Sequence, residues 1–196
     1  MSDNQNMLSA VGAISLAVIY SLYWMFEIGF SQQGTSLEVL ANGLSPMDFV
    51  FLMVGALNVF FYISVRRVLY EHYHYAKLNV VFASLIGVCV VFYIGTFAAD
   101  AAASLIGSDL ASTVIALITL FAIIAFGILD ILVGVMLLRD ADTRSDLLRV
   151  FAIASLIMGI MEITILLSIV ALVVFPFTVA LMAVYFLREP EAVEFV

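Results

Sequence analysis

The stretch FGILDILVGVMLLRDADTRSDLLRVFAIASLIMGIME, residues 126–162, decides how this chain is read. Two apolar spans flank a short loop that holds Arg139, Arg144 and Arg149, three of the seven basic residues. Each span carries one acid, Asp130 before the loop and Glu162 after it. The pattern has an earlier echo. Gly55-Ala-Leu-Asn58 matches Gly127-Ile-Leu-Asp130, Arg67 matches Arg139, and Gly87 matches Gly159, all at an offset of 72 residues. Ala83-Ser-Leu-Ile86 returns as Ala154-Ser-Leu-Ile157 one residue out of that phase. The expectation is a duplicated helical hairpin.

Working outward, 65% of the 196 residues are hydrophobic and only 11% are charged, too few to make the polar shell of a soluble domain. A bilayer removes that requirement. Crossing its roughly 30 Å of hydrocarbon takes about 20 apolar residues, and six such segments fit, at about 8–30, 47–69, 78–97, 110–138, 147–165 and 168–187. The expected fold is therefore all-α: one polytopic integral membrane domain over residues 1–196 with six transmembrane helices. The first span lacks the positive n-region and small-residue cleavage site of a signal peptide, so it is expected to stay. Ser45-Pro46-Met-Asp48 reads as a helix start. The apolar run 147–187 is twice the length of one helix and is split near Thr164–Ser168, with Pro176 expected to kink the last helix.

Charge sets the orientation. Arg66, Arg67 and Lys77 follow the second span, Arg139, Arg144 and Arg149 the fourth, and Arg188 the sixth. Six crossings place all seven on one side, which the positive-inside rule makes the cytoplasm, together with both termini. In the same frame spans two and three run parallel to four and five, so the repeat is parallel rather than the inverted kind common in alternating-access carriers. The expected location is the cytoplasmic (inner) membrane. A net charge of −8 excludes a nucleic-acid partner, which calls for a basic face. Expected partners are the lipid bilayer and either further copies of the chain or another membrane protein.

Three acids fall within spans, Glu27, Asp130 and Glu162, with no Lys or Arg at comparable depth. A carboxylate at the bilayer centre costs several kcal/mol, so such groups are protonated, hydrogen-bonded or facing a wet cavity. Glu27 is near the outer end of its span, within reach of headgroup water. Asp130 is eight residues before the end of its span at Leu138, too deep for that. Together with Asn58 at the matching repeat position, these are the candidate polar residues of the interior. They read either as hydrogen-bonding packing groups or as a proton or cation pathway.

Other features carry less. Cys89 is alone, so no disulfide or thiolate metal site forms within the chain. His72 and His74 alternate with tyrosines in a basic-side loop, which suits interfacial aromatics better than a metal site, and no cofactor is expected. Tyr20, Tyr23, Trp24 and Phe30 read as an aromatic belt at a headgroup interface. Ala13 with Ala17, Ala83 with Gly87, and Ser155 with Gly159 read as small-residue packing faces. No phosphate loop, potassium-filter signature, retinal-binding lysine or nucleophile–histidine constellation is visible, so no enzyme is expected.

The span AFGILDILVGVMLL and the following ASLIMGIMEI resemble the HdeD-like family of small bacterial membrane proteins. That family builds about six spans from repeated, glycine-punctuated hairpins whose second helix reads Gly-Ile-x-Glu/Arg-Ile. The likeness covers residues 126–163 and, more faintly, 54–87. It implies an inner-membrane protein associated with acid or envelope stress and transfers no catalytic residue. The functional expectation is accordingly a non-enzymatic membrane protein, with a small proton or cation channel or small-solute transporter using Asp130 and Glu162 as the alternative.

Overall fold

A computed structural model describes residues 3–33, 44–73, 76–139, 145–164 and 167–188. Among these the chain is all-helical, with six long helices: α1 (Asp3–Gln33), α2 (Pro46–Tyr73), α3 (Asn79–Ile106), α4 (Ser108–Arg139), α5 (Asp146–Ile163) and α6 (Ser168–Leu187). A single 3₁₀ turn, Ala76–Leu78, leads into α3. Five helices are long and apolar enough to cross a membrane: α1, α2, α3, α4 and α6. Helix α5 is not among them, because its 18 residues include Asp146, Arg149 and Glu162.

The helix ends follow local chemistry. At the start of α2 the Ser45 N–H donates to the Asp48 carboxylate at 2.6 Å, and the Asp48 N–H donates back to the Ser45 carbonyl at 3.1 Å. This pairing gives otherwise orphaned groups of the first turn a partner. Helix α5 is capped by Ser145, whose hydroxyl accepts from the Leu148 N–H at 3.4 Å. It ends where the Thr164 hydroxyl donates to the Ile160 carbonyl at 2.9 Å, four residues before α6 begins at Ser168. Helix α6 continues through Pro176.

Helix α3 runs farther than the expected span. Ala98-Ala-Asp-Ala-Ala-Ala-Ser-Leu-Ile106 stays helical, as its alanine content favours. Only Gly107 separates α3 from α4. Its φ of 88° and ψ of 143° lie where a residue with a Cβ is strained.

Each helix packs on its sequence neighbours, and α6 packs back on α1, closing the bundle into a ring. Neighbours run antiparallel. Ser9 meets Arg67 while Tyr23 meets Phe51, and Asn79 meets Arg66 while Phe92 meets Phe51. Likewise a Cβ at Gly127 would abut Ile163, and one at Gly134 would abut Ala152 and Leu156.

The outside of the bundle is apolar. Val80, Leu105, Leu117, Val173 and Phe177 are each more than 60% exposed, an arrangement suited to lipid rather than water. A multi-pass helical membrane protein is what this surface and these helices define.

The closest helix approach is α4 on α5. Gly127, Gly134, Ser155 and Gly159 are all buried there, and a Cβ on Gly159 would stand 2.5 Å from the Gly127 carbonyl oxygen. Of the other small-residue pairs, Ala13 is buried against the core, but Ala83 and Gly87 face outward. A Cβ at Gly87 would meet nothing within 4 Å. The expectation that Ala83 and Gly87 form a packing face within the chain is thereby corrected: spacing alone does not fix which side of a helix meets a neighbour.

Candidate functional site

The ring of helices surrounds a partly open cavity of about 160 Å³ to which all six contribute. Helix α1 supplies Tyr20, Tyr23 and Trp24, and α2 supplies Phe51, Val54, Asn58 and Tyr62, spaced to share one face. Phe92 and Tyr93 come from α3, Thr119, Ala122, Ile123 and Phe126 from α4, Glu162 from α5, and Ala171, Leu172 and Phe175 from α6. Nine of these residues are aromatic.

The rings form a continuous shell. Phe51 is its hub, with centroids 4.6 Å from Tyr93, 5.4 Å from Phe92 and 5.7 Å from Tyr23. Tyr20 packs at a tilt against Phe175 at 4.7 Å, joining α1 to α6, and Phe92 meets Phe126 edge-on at 6.5 Å, joining α3 to α4. These separations are those of attractive aromatic pairs.

Two oxygens in this shell lack a partner. Asn58 is 5% exposed; its amide donates to the Tyr93 hydroxyl at 3.4 Å, but its Oδ1 accepts nothing. Glu162 contributes a buried Oε2 that likewise has no hydrogen-bond partner. Leaving such a group unmatched costs about 1–3 kcal/mol, and more when it is charged. Among the described residues the only other buried side-chain atoms in this condition are Arg67 Nε and Thr96 Oγ1, neither on a residue that lines the cavity.

Asp130 is 4% exposed yet does not line the cavity. It follows Phe126 by one helical turn, toward the end of α4 that carries Arg139. There it interacts electrostatically with Tyr62, Cys89 and Glu162. Glu27 is exposed, at the other extreme of the bundle, where with Asp48 and Asp100 it acts on Tyr23. Of the four polar residues singled out from sequence, then, Asn58 and Glu162 both line the cavity, Asp130 is buried outside its lining, and Glu27 stands near its acidic end.

The charge distribution is one-sided. The cavity lies in the half formed by the later part of α1, α3 and α5 and the earlier part of α2, α4 and α6. Every described Lys or Arg is at the opposite end, where Arg67 donates to Ser9 at 2.8 Å and Arg66 to Asn79 at 3.1 Å. His74 and Arg144 lie outside the described residues, as does the His72 side chain.

The aromatic residues of α1 have a role that the sequence reading does not include. Tyr20, Tyr23 and Trp24, read there as a headgroup belt with Phe30, line the cavity, and the Phe30 side chain lies outside the described residues. A usable signal was present: Phe51, Val54, Asn58 and Tyr62 put aromatic and polar groups on one helical face, too polar for lipid and too bulky for close packing. No family model matches the chain, and no match is found among curated proteins or solved structures.

Proposed function

We propose that this is a small-solute transporter or channel of a cytoplasmic membrane, with Glu162 as the residue that engages what is carried. One observation carries the reading: a cavity bounded by all six helices and lined in part by Glu162, whose buried Oε2 no protein group satisfies. A bundle held together only by internal hydrogen bonds would fill such a space and pair such an oxygen. In this reading α5 also crosses the membrane. Its 18 residues span about 27 Å at 1.5 Å each, and Asp146 and Arg149 stand at one end while Glu162 turns to the interior. Six crossings put both termini and all seven basic residues on the cytoplasmic side, so the cavity opens toward the outside. The paired hairpins of α2–α3 and α4–α5 belong to the same proposal as a parallel repeat.

The structural role first expected for the buried acids keeps its force at Asp130, which is buried outside the cavity lining. The two acids therefore have different tasks, one facing solute and one holding helices together. The test is flux in proteoliposomes, screened with protons, monovalent cations and small organic solutes. Glu162→Gln, which keeps shape and removes the ionisable group, is expected to fold and to abolish the flux seen with the parent. A parent with no flux for any of these, or a Glu162→Gln variant with full flux, would remove the proposal.

A further inference from the structure

We propose that the cavity is a binding site for a small organic ammonium ion. The inference deepens the function proposed above and rests on the cavity being a solute site. The first argument is the wall. A cation within about 6 Å of an aromatic centroid is attracted to the ring face, most strongly by tryptophan and more so where water is excluded. Here Trp24, Tyr20, Phe51, Tyr93 and Phe175 surround one space. An apolar cavity of about 150 Å³ accepts one benzene molecule, so about 160 Å³ suits a methylated ammonium headgroup and little more.

The second argument is the polar complement. Both unpartnered oxygens, Glu162 Oε2 and Asn58 Oδ1, are acceptors. They call for positive charge or for N–H donors, and they repel an anion. The group that interacts with Glu162 across the interior is a second acid, Asp130, so no protein cation is supplied there to pair the Glu162 oxygen. A neutral apolar ligand would leave these already buried oxygens uncompensated, whereas a positive charge in the cavity offsets part of the cost of their burial.

The third argument is the approach. Glu27, Asp48 and Asp100 stand near Tyr23 at the cavity's end of the bundle, and no described Lys or Arg shares that end. Acid-lined clefts with low-dielectric walls concentrate cations. A bare metal ion is the weaker match, since among the described residues no three His, Cys, Asp or Glu side chains form a ligand set.

The test uses three probes of nearly one shape: choline, protonated N,N-dimethylethanolamine, and 3,3-dimethylbutan-1-ol, the uncharged carbon analogue of choline. Binding is measured by calorimetry on the full chain in a detergent without choline headgroups. Trp24 is the single tryptophan, so its fluorescence reports occupancy of this cavity directly. At least one of the two cations is expected to bind at least about tenfold more tightly than the alcohol and to change Trp24 emission. Glu162→Gln should shrink that preference. Selectivity in the parent requires no variant, so a misfolded Glu162→Gln would not spoil the test. Equal binding of cation and alcohol would overturn the ammonium assignment and leave a solute cavity in place. Binding of none of the three would overturn this inference, while the cavity's role in flux would still be decided by the proteoliposome assay.

Discussion

Asp130 and Glu162 show how differently two intramembrane acids can be used. Both were visible in the sequence, because a carboxylate amid apolar residues stands out wherever it falls. Their surroundings were not visible, since these depend on which helix faces meet. Asp130 is buried beside Tyr62 and Cys89, outside the cavity lining, and is not among the side chains with an unpartnered buried atom. Asp130→Asn keeps its size and hydrogen-bonding capacity and is expected to leave thermal stability in detergent and flux nearly unchanged. Asp130→Leu removes the polar group and should destabilise by about 1–3 kcal/mol, seen as a lower melting temperature. A folded Asp130→Asn protein that has lost its flux would show that Asp130 works with Glu162 in transport.

Among the helices, α4 and α5 form the tightest unit. The sequence marks their hairpin through Gly127, Gly134 and Gly159, and it marks Gly87 equally strongly through the repeat. Only three of these four are pressed against a neighbouring helix. At Gly159 an added Cβ would stand 2.5 Å from the Gly127 carbonyl oxygen and 2.8 Å from the Ile131 nitrogen, backbone atoms that move only with their helix. Gly159→Ala is therefore expected to cost about 1–3 kcal/mol by overpacking. Gly87→Ala meets open space and should be neutral or stabilising by up to about 1 kcal/mol, the usual helical gain. Melting the two variants side by side checks this; similar losses in both would mean that Gly87 is also packed. Helix existence was legible because apolar length and the capping signal at Ser45 are local properties. The extension of α3 to Ile106 was not read, because alanine-rich helix and short loop differ little in hydropathy.

At the scale of the whole molecule, polarity along the membrane normal organises the rest. The chain has no Lys or Arg between residues 78 and 138 or between 150 and 187, so one half of the bundle is built without cations. That half contains the cavity, the aromatic shell and the unpartnered carboxylate oxygen. The charge asymmetry was plain in the sequence, whereas the cavity depends on ring closure of α6 onto α1, a contact between the ends of the chain that no local pattern encodes. The most direct measurement of the central claim is thiol labelling at the cavity wall. Thr119 lines the cavity and Cys89 is the single, buried cysteine, so Thr119→Cys in a Cys89→Ala background presents one reactive site. Membrane-impermeant methanethiosulfonates are added outside intact cells, one bearing trimethylammonium and one bearing sulfonate. The expected result is modification from outside, with each rate divided by that reagent's rate on a free small thiol, and with the cationic reagent still favoured by at least about tenfold, as steering by acids and aromatic walls requires. No modification from outside, or equal rates for the two reagents after that normalisation, would contradict an outward-facing, cation-accepting cavity.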